Sequence, residues 1–247
     1  MSSSLSTWSA QLRTKYFPNP VPDGFYNGNT TPDKTVGALQ DYYAWEWGDA
    51  LFIVLDPYWF TPLQRDDTAN LWNPTLGEAQ YQWLKTTLNT SSAKWKFVFI
   101  HQLIGGADKN GRGGVEVAGF YEWGGKNADG SYGFDTQRPG WGVPIHQLLV
   151  ANNVSAVFHG HDHLFVKQAL DGIIYQEVPQ PSAGRANGTN SAVEYGYLSG
   201  DILGSPGHLR VMVSPEQVTV DYVRSYLQQD EKPTQQNGQV DYSYSIK

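Results

Sequence analysis

The chain reads as an α/β protein whose helices and mixed β-sheets are stacked in layers, and three observations predict this class. Two nearly continuous apolar runs, ALFIVLD at 50–56 and KFVFI at 96–100, flank a helix-period stretch at 75–88. The alternation resumes with PIHQLLVAN at 144–152 and a third apolar run, VSAVF at 154–158. The later part carries paired β-runs, LFVKQAL with GIIYQEV and then HLRVMV with QVTVDYVRS, which read as hairpins and make the sheets mixed. Strands apolar along their whole length must be covered on both faces, so helices and a second sheet are expected on either side.

Taken in order, residues 2–12 predict a short amphipathic helix, with Leu5, Trp8 and Leu12 at helical spacing. FPNPVPDGFYNGNTTPDKT is dense in Pro, Gly, Asn and Asp and predicts an extended loop, with Tyr16, Phe17, Phe25 and Tyr26 as anchors. YYAWEW at 42–47 and ALFIVLD at 50–56 form a hairpin across Gly48-Asp49, and Pro57 ends the second strand because it has no amide to donate. Thr75 and Glu78 have capping-box spacing for a helix through about Leu88. From His101 to Trp141 the chain is glycine-rich and aperiodic, as expected of a loop that covers a site or touches another subunit. Hairpins follow around Asp171-Gly172 and Pro215-Glu216, separated by a Gly/Asn/Ser-rich loop over 181–207. The expected organisation is an arm or rim segment at 1–40, one domain at 41–230 and a polar, peripheral tail at 231–247.

Composition narrows the chemistry. The 247 residues include no cysteine, which excludes thiolate nucleophiles, iron-sulfur ligation and cysteine zinc sites. The net charge of -7 argues against an extended nucleic-acid interface. No run of 18 apolar residues predicts a membrane span. The start, MSSSLSTWSAQLRTKYF, lacks the order of a signal peptide, so the expected product is cytoplasmic or expressed without its targeting segment. Nitrogen and oxygen ligands, with histidine foremost, are what remain for catalysis.

The histidines follow strand ends. FVFIHQ places His101 just after one buried strand, and AVFHGHDH places His159, Gly160, His161, Asp162 and His163 after another. Carboxyl ends of neighbouring strands form site crevices in α/β sheets, and Gly160 is expected to allow the tight turn. Imidazoles so grouped suit a zinc-, iron- or manganese-like ion. His159 is better suited to a supporting position behind the ligands. His146 reads as structural, and His208 as weaker than the central cluster. Asp56, also at a strand end, is a further candidate ligand, with strand capping as its bland alternative. Arg112, Arg138 and Arg185 sit in Gly- or Pro-containing loops and offer planar donor forks for phosphate. Tyr121, Trp123, Tyr132 and Trp141 suit either an organic-group pocket or the packing of their loop.

With His101 after one strand and Gly160-His161-Asp162-His163 after another, continued by the HGHDHLF and DGIIYQEVPQ segments, residues 40–225 resemble the calcineurin-like metallophosphoesterases. That superfamily includes purple acid phosphatases and phosphodiesterases. The resemblance implies a layered α/β/β/α sandwich, with His101 and His161 on one metal, His163 on another, and Asp162 orienting the turn. It covers only the later half of the family pattern. The family's Asp-any-His, Gly-Asp-any-any-Asp and Gly-Asn-His motifs have no counterpart, and Phe52 stands where the second requires aspartate. The expected fold is therefore a truncated or divergent metallophosphoesterase-like sandwich.

The implied function is hydrolysis of phosphate esters, including phosphodiesters or activated esters, by water on one or two divalent or trivalent ions (Zn, Mn or Fe). His159, His161 and His163 would be catalytic, His101, His161, His163 and Asp56 would ligate metal, and Arg112, Arg138 and Arg185 would hold a small-molecule phosphate ester. Missing carboxylates would come from Asp108, Glu116, Glu122, Asp129 or Asp135, or from a second copy in a homo-oligomer. The alternative is a noncatalytic metal-binding or oligomerising remnant. A structural or carbohydrate-binding protein, suggested by the aromatic and Gly/Asn-rich loops, leaves the histidine cluster unexplained.

Overall fold

A computed structural model describes residues 5–62, 70–108, 110–182 and 188–247. In chain order the elements are α1 (Leu5–Tyr16), β1 (Asn27–Gly28), β2 (Tyr43–Trp47), β3 (Ala50–Val54), α2 (Glu78–Thr90) and β4 (Trp95–Ile100). Then come α3 (Tyr121–Gly124), α4 (Phe134–Gln137), α5 (Ile145–Ala151), β5 (Ala156–His159), β6 (Leu164–Leu170) and β7 (Ile173–Glu177). The chain continues as β8 (Asp201–Gly204), β9 (Gly207–Val213), β10 (Val218–Arg224) and β11 (Val240–Ile246).

Eight strands form one mixed sheet in the order β1-β2-β3-β4-β5-β7-β6-β8, and β11-β10-β9 form a second, antiparallel sheet. β3, β4, β5 and β7 are parallel at the centre of the large sheet. The β3–β4 and β4–β5 crossovers carry α2 and α5, as parallel neighbours require.

The layers follow from which side chains each strand turns to each face. Leu51, Ile53, Val98, Val157 and Tyr175 meet Tyr81, Leu84 and Leu88 of α2 and Ile145, Leu148 and Leu149 of α5 in the larger core. Ala50, Phe97, Ala156 and Phe158 point the other way, against Val218 and Val220 of β10 and the partly buried Tyr244 and Ile246 of β11. The described residues thus build helices, a large sheet and a small sheet, three of the four layers that the family resemblance implies.

Four expectations need correction. The first helix covers Leu5–Tyr16 among the described residues and so runs past the expected end at 12, while residues 2–4 of that expectation lie outside the described residues. Thr75 and Glu78 form no capping box: Gly77 occupies the N-cap of α2 without a side-chain cap bond, and Thr75 Oγ1 accepts the Gly77 amide at 2.9 Å. Gly77 is needed there, because its φ is +76° and a Cβ would lie 2.5 Å from the Phe60 ring. The loop at 181–207 contains an edge strand, β8, paired with β6. The peripheral tail is a strand as well, registered on β10 from Val218↔Ile246 to Tyr222↔Tyr242. Its alternation of Val240, Tyr242, Tyr244 and Ile246 with Asp and Ser is the period-2 signal that its overall polarity hides.

Among the described residues, no helix is long and apolar enough to cross a membrane.

Candidate functional site

The parallel strands deliver their carboxyl ends side by side. Asp56 lies two residues past β3, His101 follows β4, His159 ends β5 and Glu177 ends β7. The ladder runs through Ile100↔His159 and His159↔Glu177, and continues where the Gly160 amide donates to His101 O at 2.8 Å. A recess of about 320 Å³ opens at these ends, lined by Val54, Phe99, His101, Phe158, His159 and Gly160 among others.

Beyond β5 the chain turns sharply, and the left-handed positions fall on histidines: His161 has φ +90° and His163 φ +59°. Gly160 was the residue expected to supply that freedom, yet an added Cβ would meet only His101 O at 3.7 Å. Non-glycine residues in this region cost about 1–3 kcal/mol each and persist only where their surroundings hold them. Two carboxyl groups do the holding. Glu177, fully buried, accepts the Asp162 amide on Oε1 at 2.9 Å and also the His163 amide. Asp162 Oδ2 accepts from the Gly113 amide at 3.0 Å and from the Tyr197 hydroxyl at 2.9 Å, which ties the turn to the glycine-rich loop. Ser205 Oγ donates to His163 O at 2.7 Å.

Burial governs the protonation of this layer. The Glu177 carboxyl is pushed well above its ordinary range, first by desolvation and then by the Asp162 charge, against the pull of the two amides. His159, 2% exposed, is lowered to about 4 by desolvation. Its Nδ1 stands 2.9 Å from Glu177 Oε2, and its buried Nε2 has no hydrogen-bond partner among the described residues.

On the solvent side His101 Nε2 lies 3.1 Å from His161 Nδ1. Desolvation, followed by the nearby charges of His161 and His163, lowers the His101 pKa. Two nitrogens at about 2.0–2.1 Å from a tetrahedral ion are separated by about 3.3 Å, so this pair fits two positions of a zinc-like sphere. Among the described residues no group of three or more His, Cys, Asp or Glu side chains is arranged to hold an ion.

The expected carboxylates are occupied. Asp56 is 5% exposed; its Oδ2 faces Arg13 Nη1 at 3.3 Å and its Oδ1 accepts the Tyr58 amide at 2.7 Å, the capping role. Glu116 accepts from Gln168, the Leu198 amide and Ser199. Glu122 is buried against Arg138 at 2.5 Å and accepts the Leu76 amide. Asp108 and Asp129 cap their own turns through Asn110 and Ser131, and Asp135 bonds to Tyr132.

The arginines separate too. Arg138 is consumed by Glu122 and by the carbonyl of Trp72. Arg112 lies over the Tyr195 ring, with Nε 3.9 Å from Asp162 Oδ1. Arg185 lies outside the described residues. His146 bonds to Tyr175 and Asp171, and His208 is exposed on β9. Of the loop aromatics, Trp123 and Trp141 are core residues, with Trp141 stacked on Tyr81 at 4.4 Å.

Sequence reading missed Glu177, Tyr197 and Tyr58. Glu177 closes a strand that is parallel to β5, a placement visible only once β7 is seen to pair with β5 across the hairpin. Tyr58 packs its ring 5.7 Å from that of His101 and donates to Gln102 Oε1 at 2.6 Å.

No family model matches the chain, and no curated protein matches it. Among solved structures it is similar to PhoD, with TM-score 0.54 and 18% identity over 89% of this chain and 43% of that one. It is also similar to the purple acid phosphatase PPD1 from yellow lupin (Lupinus luteus) seeds, with TM-score 0.46 and 16% identity over 83% and 32%. GAP50, the anchor in the inner membrane complex of Plasmodium, gives TM-score 0.47 and 16% identity over 80% and 49%. The chain spans less than half the length of each of these three. The likeness to PhoD shows the fold, a mixed α/β architecture.

Proposed function

We propose that this chain carries a metal-dependent phosphate-ester hydrolysis site, acting on phosphodiesters or activated phosphate esters. The observation that carries the reading is the His101 Nε2–His161 Nδ1 pair, 3.1 Å apart at the carboxyl ends of parallel strands. His101 and His161 would hold a zinc-, iron- or manganese-like ion, with the exposed His163 beside them. An ion bound there supplies Lewis acidity toward a phosphoryl oxygen and activates water. Glu177 and Asp162 fix the turn that presents the imidazoles, His159 backs Glu177, and Arg112 approaches the turn through Asp162. The rest of the coordination sphere would come from water, from substrate, or from a second copy of the chain in a homo-oligomer.

Metal content after purification and reloading, measured by mass spectrometry, tests the site, together with hydrolysis of bis(4-nitrophenyl) phosphate. His101→Ala and His161→Ala should each lose the ion and the turnover. Retention of stoichiometric metal by the double variant refutes the assignment.

A second reading, a noncatalytic remnant that binds metal or another chain, is favoured by the two-nitrogen donor set. Bound metal without any turnover across Zn, Mn and Fe would select it.

A further inference from the structure

A cavity adjoins the histidine pair without containing it. It measures about 590 Å³, within the range of small-molecule pockets, and lies between one face of α1 and the segments that follow β3 and β4. Ser6, Ser9 and Arg13 face it from α1, while Pro57, Trp59 and Leu103 form much of its opposite wall. We propose that this cavity binds a neutral aromatic group, the organic moiety of the phosphate ester whose phosphoryl end meets His101 and His161. The proposal rests on the phosphoesterase reading above and adds the class of substrate.

Three observations select that occupant. The first is continuity. Tyr58 lines the cavity, its ring stands 5.7 Å from the His101 ring, and its hydroxyl bonds to Gln102, which also lines the cavity and follows His101 directly. A group seated there is one side chain from the imidazoles.

The second is charge. Arg13 and Asp56 both line the cavity and pair at 3.3 Å, so its ionised groups cancel. A charged occupant would lose hydration without gaining a counterion. The third is the character of the wall. Arg13 is committed through Nη1 to Asp56 and through Nη2 to Leu39 O at 2.9 Å, and Pro57, Trp59, Leu103 and Ile104 give the cavity apolar and aromatic surface that suits a flat apolar group.

The test is binding of 4-fluorobenzamide, a neutral ring with one strong acceptor, followed by ¹⁹F NMR line broadening on the full chain. Saturable binding is expected, and 4-fluorobenzoate and 4-fluorobenzylammonium should bind at least tenfold more weakly. Ser9→Trp fills the cavity from an exposed helix position and should raise the Kd at least tenfold; Ser6→Trp is an independent second filler. Each is compared at matched far-UV circular dichroism. No saturable binding to the wild-type chain overturns the proposal, as does a Kd unmoved by either folded filler.

4-Fluorophenyl methyl phosphate, a phosphodiester with an aryl leaving group, separates this proposal from the function it builds on. His161→Ala should weaken the phosphate ester in the metal-loaded protein and leave 4-fluorobenzamide unchanged. If the amide binds while the ester ignores His161 and is not hydrolysed, the hydrolytic reading fails and the cavity assignment stands. If esters are hydrolysed but the amide never binds, the cavity assignment fails alone.

Discussion

Replacing Glu177 probes the turn that presents the histidines. Glu177→Ala removes the acceptor for two buried amides, those of Asp162 and His163. Each buried donor left unpaired costs about 1–3 kcal/mol, giving roughly 2–6 kcal/mol in all. Asp162 and Ser205 still hold the turn, so the positive φ of His161 and His163 should be retained. The destabilisation should be about 2–6 kcal/mol. For a chain of this size that lowers Tm by roughly 4–24 °C. Glu177→Gln keeps one acceptor oxygen and should lose much less at acidic pH. The sign of the pH dependence follows from the raised carboxyl pKa. A folded-state pKa above the unfolded value of about 4.5 means that Glu177 stabilises the fold fully below that value. The contribution is then lost as pH rises through the elevated pKa. Wild type should therefore lose stability relative to Glu177→Gln as pH increases. Urea unfolding of the three proteins across pH 4–9 measures both effects. Glu177→Ala within 0.5 kcal/mol of wild type (about the scatter of an exposed surface substitution), or a wild-type advantage over Gln that grows with pH, would refute this account of the turn.

Arg138→Met should destabilise by about 3–5 kcal/mol, since it strands the fully buried Glu122, and adding Glu122→Gln should recover most of the loss in chemical denaturation. Gly77→Ala should cost about 1–3 kcal/mol, because φ is +76° and the new Cβ strikes Phe60, whereas Gly130→Ala meets open space and should cost only the backbone penalty of about 1 kcal/mol; thermal melts compare them. Arg13→Met should leave metal affinity unchanged in competition with a chromogenic chelator, because Asp56 is held by the Tyr58 amide, and a rise in affinity would make Asp56 a ligand.

The central sheet was legible because β3, β4 and β5 are buried on both faces and must be written in apolar residues. The same burial made the strand-end histidines conspicuous. What escaped reading was set by partners distant in sequence. The N-terminus of α2 carries a capping-box pattern, yet Glu122 claims the Leu76 amide and Phe60 packs on Gly77, so the local signal loses to the loop that lies against it. β11 looked like tail because its outward residues are Asp and Ser, while its inward Tyr and Ile become informative only against β10. Glu122 and Arg138 looked like loop groups available to a ligand, and only the fold brings them to 2.5 Å.

The same accounting bears on the site. A cationic centre needs negative oxygens, and this part of the chain has several, but the fold commits each to an earlier task. Glu177 and Asp162 hold backbone amides and Asp56 faces Arg13, so the imidazoles are left as the exposed donors. Recruiting Glu177 as a ligand would leave two amides unpaired and loosen the turn that aims His161, which defeats the geometry it would serve. Glu177 and Asp162 thus sustain the strain at His161 and His163. An ion seated on His101 and His161 must complete its sphere from water, substrate or donors outside these strand ends.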